Sequence, residues 1–233
     1  MEKIAVSRFV TKEFQAAEAL KTLRTNLLFS GANIRAVALT SYSASEGKST
    51  IAFQLAASMA QTGKRVLLVD ADLRKSVMAS RLRVRGRVDG LSHFLSGMSN
   101  ANELICETDI PGMYMMFAGA RVPNAAELLG NESFVKLIPA LKETFDYVIV
   151  DAAPLGQVID AAVIAPVMDG MIMVVDVTHN SYKLERRMKQ QLEKSGAKIL
   201  GVVLNRVDFQ DKDGYYGKAY GYGYGYGEEE NKR

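Results

Sequence analysis

The chain has 233 residues, a net charge of +3, 48% hydrophobic residues and a single cysteine, Cys106. That length suits one large domain, or one domain with a tail, and a substantial core. The composition excludes a strongly basic nucleic-acid binder and a disulfide scaffold, and no run approaches the about 20 apolar residues of a membrane span.

In chain order, residues 1–10 read as a loose arm, and Met1-Glu2-Lys3-Ile4 lacks the apolar region of a signal peptide. From Thr11, a candidate N-cap, to Phe29 the pattern is helical, with Phe14, Ala17, Leu20, Leu23 and Leu27 as its apolar stripe. Glu18, Lys21 and Arg24 share one line of that helix, which by spacing alone reads as a solvated face with a Glu–Lys pair. Arg35 to Thr40 is the first strand. A loop of small residues follows, and a helix runs from Gly47 to Gln61 with Ile51, Leu55 and Met59 turned to the sheet.

Arg65 to Asp70 is the second strand, and residues 74–106 read as short helices with polar turns, Leu91–Leu95 among them. Cys106 reads as a small apolar residue on a helix. His93 and His179 have no metal-spaced partner. Met113 to Phe117 is a third strand, and Ser133 is expected to cap a helix to Thr144 whose buried row is Phe134, Leu137, Ile138 and Leu141. Tyr147 to Asp151, Met171 to Asp176 and Ile199 to Asn205 complete six strands, with helices from Ala161 to Val167 and from Ser181 to Lys194. Strands that alternate with helices predict an α/β fold, a P-loop NTPase-like parallel sheet flanked by helices.

The chemistry gathers at three strand ends. Gly47-Lys48-Ser49 is the close of a phosphate-binding P-loop, in which free N–H groups at a helix start meet phosphate oxygens. The first glycine of the strict pattern is replaced by Tyr42, and the tripeptide alone also suits an ordinary strand–turn–helix. Two apolar strands tip the balance. Val66 to Asp70 continues as Ala71-Asp72-Leu73-Arg74, and Tyr147 to Val150 ends in Asp151. Ligands of open α/β sheets sit at such carboxyl ends, so Asp70, Asp72 and Asp151 are expected beside the P-loop, with Ser49, where Mg²⁺ finds oxygen ligands.

Residues 208–233 differ in kind. Tyr215, Tyr216, Tyr220, Tyr222, Tyr224 and Tyr226, six of the ten tyrosines, alternate there with glycine. Such a stretch cannot build a core and is expected to be disordered and accessible. Phosphorylating all six would add about −9 to −12 charges.

Taken together, these motifs resemble the bacterial tyrosine kinases that control capsule and exopolysaccharide synthesis, over nearly the whole chain. The resemblance rests on Glu46-Gly47-Lys48-Ser49-Thr50, on the Walker A′ run Val66 to Arg74, on the Walker B strand Val148 to Asp151 and on the tyrosine cluster. It implies a kinase domain over 1–207 and a tail whose tyrosines are phosphorylated by a neighbouring subunit. Lys48, Asp70, Asp72 and Arg74 would be catalytic, with Asp70 or Asp72 as the base. ATP would be held by residues 43–50, namely Ser43, Ala44, Ser45, Glu46, Gly47, Lys48, Ser49 and Thr50, and by Asn205 at adenine. Mg²⁺ would be held by Ser49, Asp70, Asp72 and Asp151.

The family's Glu-x-x-Arg-x-x-Arg motif reads here Glu18, Lys21, Arg24, so the resemblance implies that helix 11–29 joins subunits into a ring. Lysine replaces the planar fork of arginine at position 21, and Ala44-Ser45 stands where the family commonly has Pro-Gly. The family's split arrangement further implies a cytoplasmic protein recruited to the inner face of the membrane by a membrane-bound activator, and a tyrosine phosphatase as antagonist. No nucleic acid is implied. Two alternatives compete. One is a partition or division-site ATPase, whose second lysine would stand where this chain has Ser43. The other is a non-catalytic, nucleotide-dependent scaffold.

Overall fold

The computed structural model describes residues 3–84, 86, 88–179 and 181–208. The tyrosines Tyr215 to Tyr226 and most of the expected tail lie outside the described residues. The elements are α1 (Phe14–Phe29), β1 (Ala36–Ser41), α2 (Lys48–Ala60), β2 (Val66–Asp70), α3 (Met78–Arg81), α4 (Leu91–Leu95), β3 (Ile105–Glu107), β4 (Met113–Met116), α5 (Ala125–Leu129), α6 (Glu132–Thr144), β5 (Tyr147–Asp151), α7 (Asp160–Ile164), β6 (Gly170–Asp176), α8 (Tyr182–Lys194) and β7 (Ile199–Asn205).

The strands form one sheet in the order β3-β4-β2-β5-β1-β6-β7. All pairs are parallel except β3 with β4. The six expected strands are present, and β3 is an additional, antiparallel edge strand. Cys106 therefore lies on a strand, where burial raises its thiol pKa. Three residues of mixed polarity carry too little pattern to separate an edge strand from a turn.

The central strands are apolar on both faces because helices cover both. Val37 and Leu39 of β1, with Val66 and Leu68 of β2, face α2 and Leu27 of α1. Ala36 and Ala38, with Leu67 and Val69, face the second core under α5, α6, α7 and α8. α2 is buried nearly all round. The row expected on α6, Phe134, Leu137, Ile138 and Leu141, is buried.

The helix starts correct two expectations. α1 begins at Phe14, and Thr11 precedes it, its hydroxyl accepting from the Glu13 N–H at 3.4 Å. α6 is capped by Asn131, whose side chain accepts from Phe134 N, and Ser133 lies inside the helix. On α1, Phe14 is 76% exposed and leaves the stripe. Lys21 bonds Glu18 at 2.6 Å on the solvated face, whereas Arg24 turns inward and donates to the Ser58 carbonyl at 2.9 Å. Among the described residues no helix is long and apolar enough to cross a membrane.

Candidate active site

The carboxyl ends of β1, β2 and β5 open on a cavity of about 440 Å³. Its walls include Ser43, Ala44, Ser45, Gly47, Lys48 and Ser49 of the loop between β1 and α2, and Asp72, Arg74, Lys75 and Arg81 after β2. The loop is shaped by its own backbone. Gly47 has φ +92°, in the left-handed region that favours glycine, and a Cβ there would stand 2.1 Å from Asn205 Nδ2. Ser45 has φ 67°, and it occupies the place where the resembled family commonly has glycine.

Three side chains brace the loop, Glu46 from within it and Asn205 and Arg206 from the end of β7. Glu46 Oε1 accepts from Ser43 N at 2.7 Å, Asn205 Nδ2 donates to the Glu46 carbonyl at 2.8 Å, and Arg206 Nη2 donates to the Ser45 carbonyl at 2.9 Å. Asn205, expected at adenine, thus has its amide nitrogen engaged by the P-loop. Glu46 is buried, and among the described residues its Oε2 and both carboxylate oxygens of Glu185 on α8 have no hydrogen-bond partner. Burial, with Glu46 adding repulsion, pushes Glu185 up to about 7. The sequence offered no signal for this pair, whose members lie far apart in the chain.

Behind the loop, Lys48 Nζ meets Asp151 Oδ1 at 2.5 Å, and both side chains are almost wholly buried. Asp70 and Asp151 are register partners on adjacent strands, so two carboxylates stand side by side. Asp70 accepts from Ser76 Oγ, and from Asp72 N at 3.2 Å. Burial first, then the charge of Asp151, pushes Asp70 up to about 7 against those hydrogen bonds and against Lys48. Asp72 is half-buried, lines the cavity and accepts from Lys75 N at 2.9 Å.

Arg74 forms a fork on buried Asp160, at 2.7 and 3.0 Å, and donates to the Pro123 carbonyl at 2.9 Å. The Asp160 bond raises its pKa further. Arg74, expected to be catalytic, thus has its guanidinium committed to a carboxylate, Asp160 of α7.

The donor set suits Mg²⁺ in kind, with a serine hydroxyl and hard carboxylate oxygens, and the crowding of Asp70 against Asp151 is a repulsion that a divalent cation relieves. Among the described residues no three carboxylates, histidines or cysteines converge as a closed cage. The geometry brings Lys48, Ser49, Asp70, Asp72 and Asp151 to one place; Glu18, Lys21 and Arg24 belong to a different surface.

Residues 34–194 match the AAA domain family. The chain is 41% identical over 191 residues to tyrosine-protein kinase CpsD of Streptococcus agalactiae, covering 82% of this chain and 83% of that one. Among solved structures, the kinase domain of Escherichia coli tyrosine kinase ETK superposes with a TM-score of 0.77 at 31% identity, covering 83% of this chain and 78% of that chain. The cell division ATPase MinD of Pyrococcus furiosus superposes with a TM-score of 0.64 at 24% identity, covering 77% of this chain and 75% of that one, a likeness of fold alone.

Proposed function

Because the chain belongs to the tyrosine-protein kinases built on this AAA domain, we propose that it transfers the γ-phosphoryl group of ATP to the tyrosines of its own C-terminal cluster. The observation that carries the proposal is the convergence of Lys48, Ser49 and Asp72 on one cavity, with the ion pair of Lys48 and Asp151 behind it.

In this reading the loop N–H groups and Lys48 bind the phosphates, and Lys48 exchanges Asp151 for the β- and γ-oxygens. A tyrosine Oη attacks the γ-phosphorus in line. The new O–P bond forms as the bond to ADP breaks, and the phenol proton passes to a carboxylate. Asp72 is the accessible candidate, since it lines the cavity while Asp70 is 1% exposed. Mg²⁺, held by Ser49 and the aspartates, would neutralise the charge shared by the β- and γ-oxygens. The outlet is control of capsular or exopolysaccharide synthesis. The tail of one subunit serves the site of another within a ring that a membrane-bound activator recruits and a phosphatase opposes. For the ring contact, Glu18 and Lys21 are exposed, as are Phe14 and Phe29, while Arg24 is already bonded within its own subunit.

The test is autophosphorylation with Mg²⁺ and ATP, mapped by mass spectrometry on the full chain and on Lys48→Met. Phosphate on Tyr215 to Tyr226 that disappears in Lys48→Met is the expected result. ATP hydrolysis without phosphotyrosine, even with a candidate activator present, would favour an ATPase of the partition type.

A further inference from the structure

Four cations line the cavity: Lys48, Arg74, Lys75 and Arg81. Two are already neutralised, Lys48 by Asp151 and Arg74 by Asp160. Lys75 is an exposed, flexible point charge. Arg81 is different. It closes α3, and its guanidinium crosses to the first turn of α2, where Nη1 donates to Thr50 Oγ1 at 2.7 Å. That hydroxyl is its one polar partner among the described residues, and it carries no charge. A guanidinium is thus held at the rim of the phosphate pocket, one residue beyond Ser49, with no carboxylate among the described residues to neutralise it. Its remaining N–H donors are uncommitted, and a planar fork of donors matches phosphate oxygens.

We propose that Arg81 is a nucleotide-binding residue that closes over the phosphates common to ADP and ATP. The inference rests on the P-loop reading of the preceding section and extends it to a residue that no motif marks. Lys48 serves the end of the polyphosphate beside the aspartates, where the γ-group reacts. Arg81 stands instead on Thr50, over the helix start whose N–H groups receive the phosphates that remain with the product. Its charge adds affinity for ADP as much as for ATP, which makes it a retention device for both substrate and product.

The experiment is calorimetric titration of the full chain with Mg²⁺ and either ADP or ATP, for the native sequence, Arg81→Ala, Arg81→Lys and Lys48→Met. Arg81→Ala is expected to weaken ADP and ATP alike by about tenfold, and Arg81→Lys to recover part of that loss, restoring charge without the fork. Melting without nucleotide should stay close to native, because the side chain is exposed and its one contact is a surface hydroxyl. The inference is overturned if Arg81→Ala binds both nucleotides within twofold of native while Lys48→Met does not. It is equally overturned if the loss is confined to ATP, which would place Arg81 on the γ-phosphate. Failure of the native chain to bind either nucleotide would sink the P-loop reading along with it.

Discussion

The two ends of the same central strands treat their aspartates in opposite ways. At the amino end, Asp169 Oδ2 accepts from Arg35 N at 2.9 Å and Ala36 N at 2.7 Å, and its Oδ1 meets Lys142 Nζ at 2.7 Å. Nearby, Arg35 donates to the Phe145 carbonyl at 2.9 Å, and Asp146 accepts from Arg65 N at 2.7 Å. Burial pulls Asp169 up, but the Ala36, Lys142 and Arg35 hydrogen bonds outweigh it and hold the carboxyl below its usual range. At the carboxyl end, Asp70 is buried beside Asp151 and pushed up to about 7. One end uses its carboxylate to lock strands together. The other keeps carboxylates crowded, a cost that only a site for cationic or phosphate chemistry has reason to carry.

The sharpest test of that contrast is Asp70→Asn in the nucleotide-free protein. An aspartate whose folded pKa lies above its unfolded value, about 3.9, destabilises the fold as pH rises between the two, and the full penalty is present above about 7. Asparagine keeps the shape and an acceptor without the charge. Urea unfolding should therefore show Asp70→Asn more stable than native at pH 8, by on the order of 2 to 4 kcal/mol. The gain should shrink toward pH 5, and phosphotransfer should be lost. A gain independent of pH would mean that charge is not what burdens this end.

Asp169→Ala probes the other end with the opposite sign. It strands two strand N–H groups and Lys142, and should cost about 2 kcal/mol at pH 7. A carboxylate with a depressed folded pKa contributes stability above its unfolded pKa and loses that contribution as pH falls through its folded value. The unfolding curves of Asp169→Ala and native should thus converge below about pH 4. Phosphotransfer per folded molecule should persist, because the residue lies at the far end of the strands. A loss of activity greater than the loss of fold would break the division between the two ends.

The sequence made one end far more legible than the other. Gly47-Lys48-Ser49 and the strand-end aspartates carry a local pattern, and the structure brings them together as expected. The bracing of the site carries none. The pairs Arg74–Asp160 and Asn205–Glu46 join positions 86 and 159 residues apart, and only the fold brings them into contact. The same holds for the Asp169 network, which joins Asp169 to Arg35, Ala36 and Lys142 across the fold. The caps failed for a different reason. Asn131 and Ser133 are both good N-cap residues two positions apart, and the docking of α6 on the sheet chooses between them.

The smallest expected effect concerns strain within the P-loop itself. Ser45 and Gly47 both have positive φ, 67° and 92°, but only one of them is a glycine. A left-handed non-glycine residue costs about 1 to 2 kcal/mol, and glycine loses more backbone entropy on folding, by about 0.5 to 1 kcal/mol. Ser45→Gly should therefore stabilise the chain by less than about 1 kcal/mol, a small upward shift in thermal melting. Its contact with Arg206 runs through the Ser45 carbonyl and survives the change. Gly47→Ala should act in reverse, since its Cβ would stand 2.1 Å from Asn205 Nδ2 and force that amide off the Glu46 carbonyl. If Ser45→Gly destabilised the protein instead, the strain would lie elsewhere. The crowding of Asp70 and Asp151 would then be the cost that distinguishes the site end of the sheet.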